Sequence, residues 1–161
     1  IDPEKEALGR NLREIPPPFE IFIQTRPEGM GYGYDPANRK MASLDLLRAE
    51  IQRCLKLLQR ECIDILNFPF MKDALEHDPA YLDKTGYNIQ RLKKEGLIRF
   101  ASADTFSGEK TYLDQIESGH FDSITLNFND FLCAFLSILV NNCRNKRALI
   151  RQHNIEFLSF F

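Results

Sequence analysis

The sequence lacks the features that mark several large classes of protein. Basic and acidic residues number 21 and 23 in a chain of 161, and no block of like charge stands out. Charge therefore gives no case for nucleic acid or an anionic membrane as a partner. The longest apolar stretch, 131–140, is shorter than the roughly 18 residues that a membrane-spanning helix needs. The first residues are polar and charged, so no secretory signal is visible.

Cysteine is scarce in the chain, and histidine is scarcer. The four cysteines include no C-x-x-C pair. Cys54 falls on an apolar helix face and Cys133 lies inside the apolar run, so we expect reduced, mostly buried thiols, which favours the cytoplasm. The histidines are His77, His120 and His153. They are isolated and lack metal-ligand spacing, so we expect loop or surface positions and no metal site.

The glycines of the segment EGMGYGYD do not form a dinucleotide-binding fingerprint. Gly29, Gly31 and Gly33 do not fit the spacing G-x-G-x-x-G, and a long loop follows them rather than a helix. A mobile substrate loop bearing Tyr32 and Tyr34 and a plain flexible loop both remain compatible with this segment.

Strand-like apolar runs alternate with amphipathic helical segments along the chain. Five strands are predicted, at 19–25, 63–68, 97–103, 123–128 and 155–161. Helices are predicted at 43–59, with Ser43 as the cap, at 81–95 and 109–118, ended by Gly96 and Gly119, and once or twice within 131–152. Such alternation is typical of parallel βα units in an α/β protein.

We expect these strands to form one parallel sheet with helices on its outside. The run 63–68 is almost continuously apolar, as in a strand covered on both faces. The spacing of the strands suits either a barrel or an open doubly wound sheet. The chain fits one domain over 1–161, but a complete eight-stranded barrel typically needs about 250 residues. Because the sequence also stops within an apolar strand, we expect a fragment.

Five passages resemble the aldo-keto reductase family in order and spacing. They are EALGRNL with the following strand that ends in QTR, LRAEIQRCLKLLQRECIDIL, LKKEGLIRFASADTF, FDSITLNFN and ALIRQHNIEFLSFF. The third is similar to the family's L-x-x-x-G-K-I-R-x-x-G-V-S-N-F. The resemblance implies strands three to seven of a TIM-type (βα)8 barrel, incomplete here, in a family that reduces carbonyl compounds with NADPH. The family's NADP phosphate site lies around strand eight, so we expect this chain alone to bind NADPH weakly or not at all.

The resemblance also implies catalytic residues, and several of them are altered. The family uses an Asp, a Tyr acid, a Lys and a His. Asp2 is the candidate for the Asp, although no Tyr stands among residues 1–5. Arg26 occupies the Lys position and keeps its charge, and Asn67 stands where the His is expected. A surface ion pair for Arg26 and a strand-end cap for Asn67 are the structural alternatives.

Four further residues take cofactor-contacting positions by the same resemblance. Asp104 and Thr105 replace the Ser-Asn pair that holds the nicotinamide carboxamide, and Thr125 replaces a Gln with a similar task. Phe160 replaces the Tyr that stacks on the nicotinamide. A turn or helix start suits Asp104 and Thr105 equally well, and the core suits Phe160.

Three hypotheses for the function stay open. The first is an NADPH-dependent reductase of a small carbonyl substrate, present as an incomplete chain. The second is a catalytically inactive, reductase-like binding or scaffold protein, which the altered Lys and His positions permit. The third is a truncated product whose open sheet edges pair with a second copy of the chain. Under each hypothesis, the parallel topology predicts that Arg26 lies at the end of the sheet where the carboxyl ends of the strands meet, which we call its mouth, close to Asn67 and Asp104.

Overall fold

The sheet is parallel throughout and follows the order of the sequence. The computed structural model describes residues 2–27, 41–69, 71–104, 109–125 and 156–158. The elements are α1 (Asp2–Glu14), β1 (Gln24–Thr25), α2 (Leu44–Leu58), β2 (Ile63–Pro69), α3 (Met71–His77), α4 (Tyr81–Lys94), β3 (Ile98–Asp104), α5 (Glu109–Ser118), β4 (Ser123–Thr125) and β5 (Glu156–Leu158). The strands lie in the order β1-β2-β3-β4-β5 and every pair is parallel. The predicted parallel sheet is confirmed.

The strands β2 and β3 begin and end within one residue of their predicted bounds, whereas the first strand does not. Only Gln24 and Thr25 are strand residues, so the prediction of strand over 19–23 is wrong. The chain reaches the sheet at Ile23, whose carbonyl accepts a hydrogen bond of 3.1 Å from the backbone N–H of Ile65. The backbone N–H of Ile23 donates to the carboxylate of Asp64 instead of a strand carbonyl.

The predicted helices α2, α4 and α5 are present within one residue of their expected bounds. Gly96 and Gly119 follow α4 and α5 with φ of 74° and 65°, as expected of residues that end helices. Ser43 precedes α2 as predicted, but its side chain makes no capping hydrogen bond. The seven-residue helix α3 was not predicted, because so short a helix shows little periodicity. The helices predicted within 131–152, the glycine-rich segment 28–40 and strand residues 126–128, 155 and 159–161 lie outside the described residues.

The core lies between the helices and one face of the sheet. Buried residues of α2, α4 and α5 share one apolar cluster with residues of the strands. The helices contribute Leu47, Ile51, Cys54, Leu55, Tyr81, Ile89, Leu92, Tyr112 and Ile116, and the strands contribute Ile63, Leu66, Phe68, Ile98, Ala101, Ala103 and Ile124. The apolar stripe expected on α2 therefore faces the sheet. Among the helices that the structure describes, none combines the length and apolarity needed to cross a membrane.

Gln115 of α5 places a polar side chain inside this core. It is fully buried, and neither Nε2 nor Oε1 has a hydrogen-bond partner within the part of the chain that the structure describes. An unpaired buried polar group costs about 1–3 kcal/mol. We therefore expect Gln115→Met to raise the free energy of unfolding by about 1 kcal/mol in chemical denaturation. The matched change at exposed Gln90 should stay within about 0.5 kcal/mol, and a less stable Gln115→Met protein would contradict the account.

The helices α1 and α2 approach each other through a glycine. A Cβ atom on Gly9 would lie 2.5 Å from the carbonyl oxygen of Leu57 and 2.6 Å from the carbonyl carbon of Leu58. No side chain therefore fits between the two backbones at this point. At the beginning of α1, the carboxylate of Asp2 pairs with the guanidinium of Arg53 on α2 and strengthens the same contact.

Candidate active site at the carboxyl ends of the strands

Three polar residues of neighbouring strands β2, β3 and β4 are paired with one another in the register of the sheet. Asn67 of β2 pairs with Ser102 of β3, which pairs in turn with Ser123 of β4. We call Asn67, Ser102 and Ser123 the polar row. Two residues further along β3 and β4, Asp104 pairs with Thr125. Because the strands are parallel, their carboxyl ends meet at the same edge of the sheet, with the polar row just below it.

The polar row lies on the face of the sheet that the helices do not cover. Leu66 and Ala101 directly precede Asn67 and Ser102 in the chain and belong to the core under the helices. Successive side chains of a strand point to opposite faces. Phe100, on the same face as Ser102, is 40% exposed, whereas Ile98 at the beginning of β3 is buried. In a (βα)8 barrel this face lines the interior, and the active site lies at the carboxyl ends of its strands.

Arg26 reaches the same region from the end of β1. Thr25 pairs with Leu66, so the following residue, Arg26, comes at the level of Asn67. The side chain of Arg26 is exposed, whereas Asn67 and Ser102 are buried. The backbone register thus places Arg26, Asn67 and Asp104 at one end of the sheet, as the parallel topology predicted.

The other predicted site residues are placed less fully. Thr105 and Phe160 lie outside the described residues, as do the side chains of Asp104 and Thr125. Asp2 is the first residue of α1, and its carboxylate binds Arg53 in the helical layer. The structure therefore does not bring Asp2 together with the polar row.

Two members of the polar row were not recognised in the sequence. Ser102 and Ser123 matter because the register aligns them with Asn67. Aligning the predicted strands 63–68 and 97–103 at their first residues would pair Ile63 with Leu97. In the structure Ile63 pairs with Ile98 instead, an offset of one residue. A search for polar residues at equal depth in neighbouring strands could have found Ser102 only after that offset was known.

At the opposite end of the sheet, where the strands begin, the charged side chains of Asp64 and Arg99 form an ion pair. The carboxylate of Asp64 is buried and receives hydrogen bonds from Arg99 and from the Ile23 backbone. Hydrogen bonds to Asp64 and to Glu20 raise the pKa of Arg99 above its usual value. Burial, and after it the charge of Asp64, raises the pKa of the Cys62 thiol. Cys62 is therefore a poor nucleophile at neutral pH, because the thiolate is the reactive form.

Neither histidine of the described residues belongs to the polar row. His77 is exposed at the end of α3. The His120 ring contacts Gly86 of α4, and its Nε2 lies 3.5 Å from a carboxylate oxygen of Asp83. His153 lies outside the described residues. Within the part of the chain that the structure describes, no group of three or more His, Cys, Asp or Glu side chains is placed to hold a metal ion.

Similarity to known proteins is visible in three dimensions. No protein-family profile and no curated protein sequence matches the chain. An aldo-keto reductase from Bacillus halodurans, in its holo form, superposes with a TM-score of 0.65 and 17% identity, over 98% of this chain and 47% of that one. An aldo/keto reductase from Klebsiella pneumoniae, in complex with NADP and acetate, gives 0.62 and 13%, over 99% and 48%. The glycerol dehydrogenase of Gluconobacter oxydans gives 0.58 and 19%, over 98% and 44%.

The likeness covers nearly all of this chain and about half of each of these structures. It confirms, at the level of the fold, the resemblance carried by the five sequence passages. The order of the strands, their parallel pairing and the helices over one face agree with it. The chain therefore has the fold of an aldo-keto reductase barrel, over about half the length of such a barrel.

Proposed function

We propose that this chain is part of an NADP-dependent reductase of carbonyl compounds, with its site at the polar row and the adjoining strand ends. The observation that carries the proposal is the shared position of Arg26, Asn67 and Asp104 at the carboxyl end of a parallel sheet. That is the end at which (βα)8 enzymes hold their active sites. The sheet belongs to a fold seen in aldo-keto reductases solved with NADP or NADPH.

The charge of Arg26 suits the chemistry of carbonyl reduction. As hydride reaches the carbonyl carbon, the oxygen gains negative charge, which a fixed cation or hydrogen-bond donor stabilises. The guanidinium of Arg26 is charged at every working pH, and it is exposed at the mouth of the sheet. In the proposal Arg26 stabilises the oxygen, which takes its proton from solvent water at this exposed position, and the amide of the buried Asn67 orients the substrate. Asp2, which binds Arg53, takes a structural role.

The polar groups around the strand ends suit a nicotinamide. A carboxamide group needs both hydrogen-bond donors and acceptors, and the hydroxyl of Ser102 offers both. The resemblance adds Asp104, Thr105 and Thr125 as further contacts and Phe160 as a stacking surface. When bound, NADPH would supply the hydride. The residues named here would hold and orient its nicotinamide and the carbonyl substrate.

Hydride transfer from NADPH provides the test. The purified protein is incubated with excess NADPH, because binding is expected to be weak, and with aldehydes and ketones of graded size. We expect loss of NADPH absorbance with formation of an alcohol. NADPH deuterated at the transferred position of the nicotinamide ring should deliver one deuterium to each product molecule. Absence of both binding and turnover across the panel, in this chain and in the whole protein of which it is proposed to be a part, would overturn the proposal.

A second candidate function is a reductase-like binding protein without turnover. The substitution of Arg26 for the family's Lys and the absence of histidine from residues 63–70 favour it. Binding of NADPH or of a carbonyl compound without any alcohol formation would support this candidate over the first.

The cysteines bear on the compartment in which either function operates. Among the described residues, Cys54 and Cys62 take part in no disulfide bond, and Cys54 is buried in the core. Free thiols are typical of a reducing environment. We therefore also propose a cytoplasmic location, which fractionation of cells that express the chain would test.

A further inference from the structure

Asp64 is a buried carboxylate that receives several donors at the amino end of β2. Its side chain is 3% exposed. Its Oδ2 accepts a 2.9 Å hydrogen bond from the backbone N–H of Ile23 and lies 3.3 Å from Nη2 of Arg60. Its Oδ1 accepts a 3.1 Å hydrogen bond from Nη1 of Arg99. The same Arg99 nitrogen lies 3.2 Å from the carboxylate of Glu20, just before β1.

These contacts fix the backbone of Ile23, the residue directly before β1, through both its N–H and its carbonyl group. The N–H of Ile23 is bound by the side chain of Asp64, and its carbonyl by the N–H of Ile65. Arg99 fastens the same carboxylate to β3. β1 itself has only two strand residues, Gln24–Thr25, so its own ladder specifies the register weakly. The hydrogen bond from the Ile23 N–H to the Asp64 carboxylate, which we call the clamp on Ile23, therefore decides how β1 is aligned with β2.

The alignment of β1 determines where Arg26 lies. Arg26 follows Ile23 by three residues and comes at the level of Asn67 only in the observed register. A slip of one residue moves a strand by about 3.3 Å and turns each of its side chains to the other face. After such a slip, Arg26 would leave the level of the polar row.

We propose that Asp64 is a positioning residue: by clamping the Ile23 N–H it fixes the register of β1 and so holds Arg26 at the mouth of the sheet beside Asn67. The part of this inference that concerns turnover rests on the proposed reductase function, whereas the part that concerns the register does not. Asp64 acts from the amino end of the sheet, through the backbone, on a residue at the carboxyl end.

Asp122 offers a matched control. Its carboxylate also accepts a backbone N–H of a neighbouring strand, that of Ala101, at 2.7 Å, and binds Lys93 at 2.5 Å. Ala101, however, lies within β3, which pairs with β2 from Ile98 to Asp104. So long a ladder fixes the register without help from Asp122. The same substitution removes the charge and one of the two acceptor oxygens at both places, and it should disturb the register only at Asp64.

Amide hydrogen exchange tests the register without cofactor or substrate. We expect Asp64→Asn to speed exchange of the amides of residues 23–26 by about tenfold, the order expected when a charge-assisted hydrogen bond becomes a neutral one. Asp122→Asn should leave these amides unchanged. Should Asp64→Asn fail to fold, Arg99→Gln removes one support of the carboxylate and should give a smaller increase at the same amides. Unchanged exchange at 23–26 in the folded variant would overturn the proposal.

A double-mutant cycle tests the link to Arg26. We expect Asp64→Asn to lower turnover by about 100-fold or more, because a misplacement of about 1 Å already costs about 100-fold, and to have no further effect in an Arg26→Ala background. A purely structural role would give equal factors in both backgrounds and would overturn the link. If the parent protein shows no turnover at all, the proposed function fails, and the exchange result alone decides the role of Asp64 in the register.

Discussion

Arg26→Ala is expected to lower kcat for NADPH-dependent carbonyl reduction by about 100-fold or more, the usual effect of removing a group that stabilises a developing oxyanion. Arg26→Lys should retain the activity or raise it. Lysine keeps the positive charge, and its compact ammonium group titrates more readily than the planar guanidinium. The contrast between the two variants therefore separates a chemical role at the mouth of the sheet from a surface ion pair.

Steady-state kinetics and thermal melting of both variants decide between these roles. Arg13→Ala serves as the matched control, because exposed Arg13 of α1 contacts Gln59, which follows α2. Its kcat should equal that of the parent protein. An Arg26→Ala protein with parental kcat would remove Arg26 from the proposed site. If both Arg26 variants change only the melting temperature, with no activity to lose, the binding-protein hypothesis is favoured.

Gly9→Ala is expected to cost about 2–3 kcal/mol of the free energy of unfolding, at the upper end of the range for overpacking. The added Cβ would meet the backbone of Leu57 and Leu58 at 2.5–2.7 Å, and a helix backbone cannot move aside locally. Separation of α1 from α2 is the remaining way to relieve the overlap. The gain of about 1 kcal/mol in helix propensity from Gly to Ala is too small to offset that cost.

Gly86→Ala provides the comparison for Gly9. A Cβ on Gly86 would also be crowded, at 2.3 Å, but by the ring of His120 rather than by backbone. His120→Ala should therefore rescue Gly86→Ala, whereas the Gly9 site offers no side chain to trim. Chemical denaturation of Gly9→Ala, of Gly86→Ala and of the double variant Gly86→Ala/His120→Ala measures the cost at each glycine and the rescue. A Gly9→Ala protein more stable than the parent would show that α1 and α2 are not in close contact.

Local sequence signals were enough to predict most of the described fold. The apolar runs of β2 and β3 and the stripe on α2 follow from burial, and Gly96 and Gly119 end their helices because of backbone conformation. The first strand was overestimated because an interaction distant in sequence, between Ile23 and Asp64, determines where the chain joins the sheet. The sequence pattern of residues 19–25 contains no signal of the Asp64 carboxylate, which lies 41 residues after Ile23 in the chain.

The candidate site was predictable only in part. That Arg26, Asn67 and Asp104 share one end of the sheet followed from parallel topology alone. The alignment of Ser102 with Asn67 depends on the offset between neighbouring strands, which hydrogen bonding between strands decides and composition does not. The placement of Asp2 depends in the same way on a tertiary contact with Arg53.

Titration of NADPH into nitrogen-15-labelled protein, followed through the backbone amide shifts, tests the central claim most directly. The central claim is that the carboxyl ends of the strands form the cofactor and substrate site. We predict graded shifts at Arg26, at Asn67 and at the ends of β3 and β4, with the amides of Asp64 and Arg99 at the amino end unchanged. Shifts confined to the amino end or to the outer faces of the helices would contradict it.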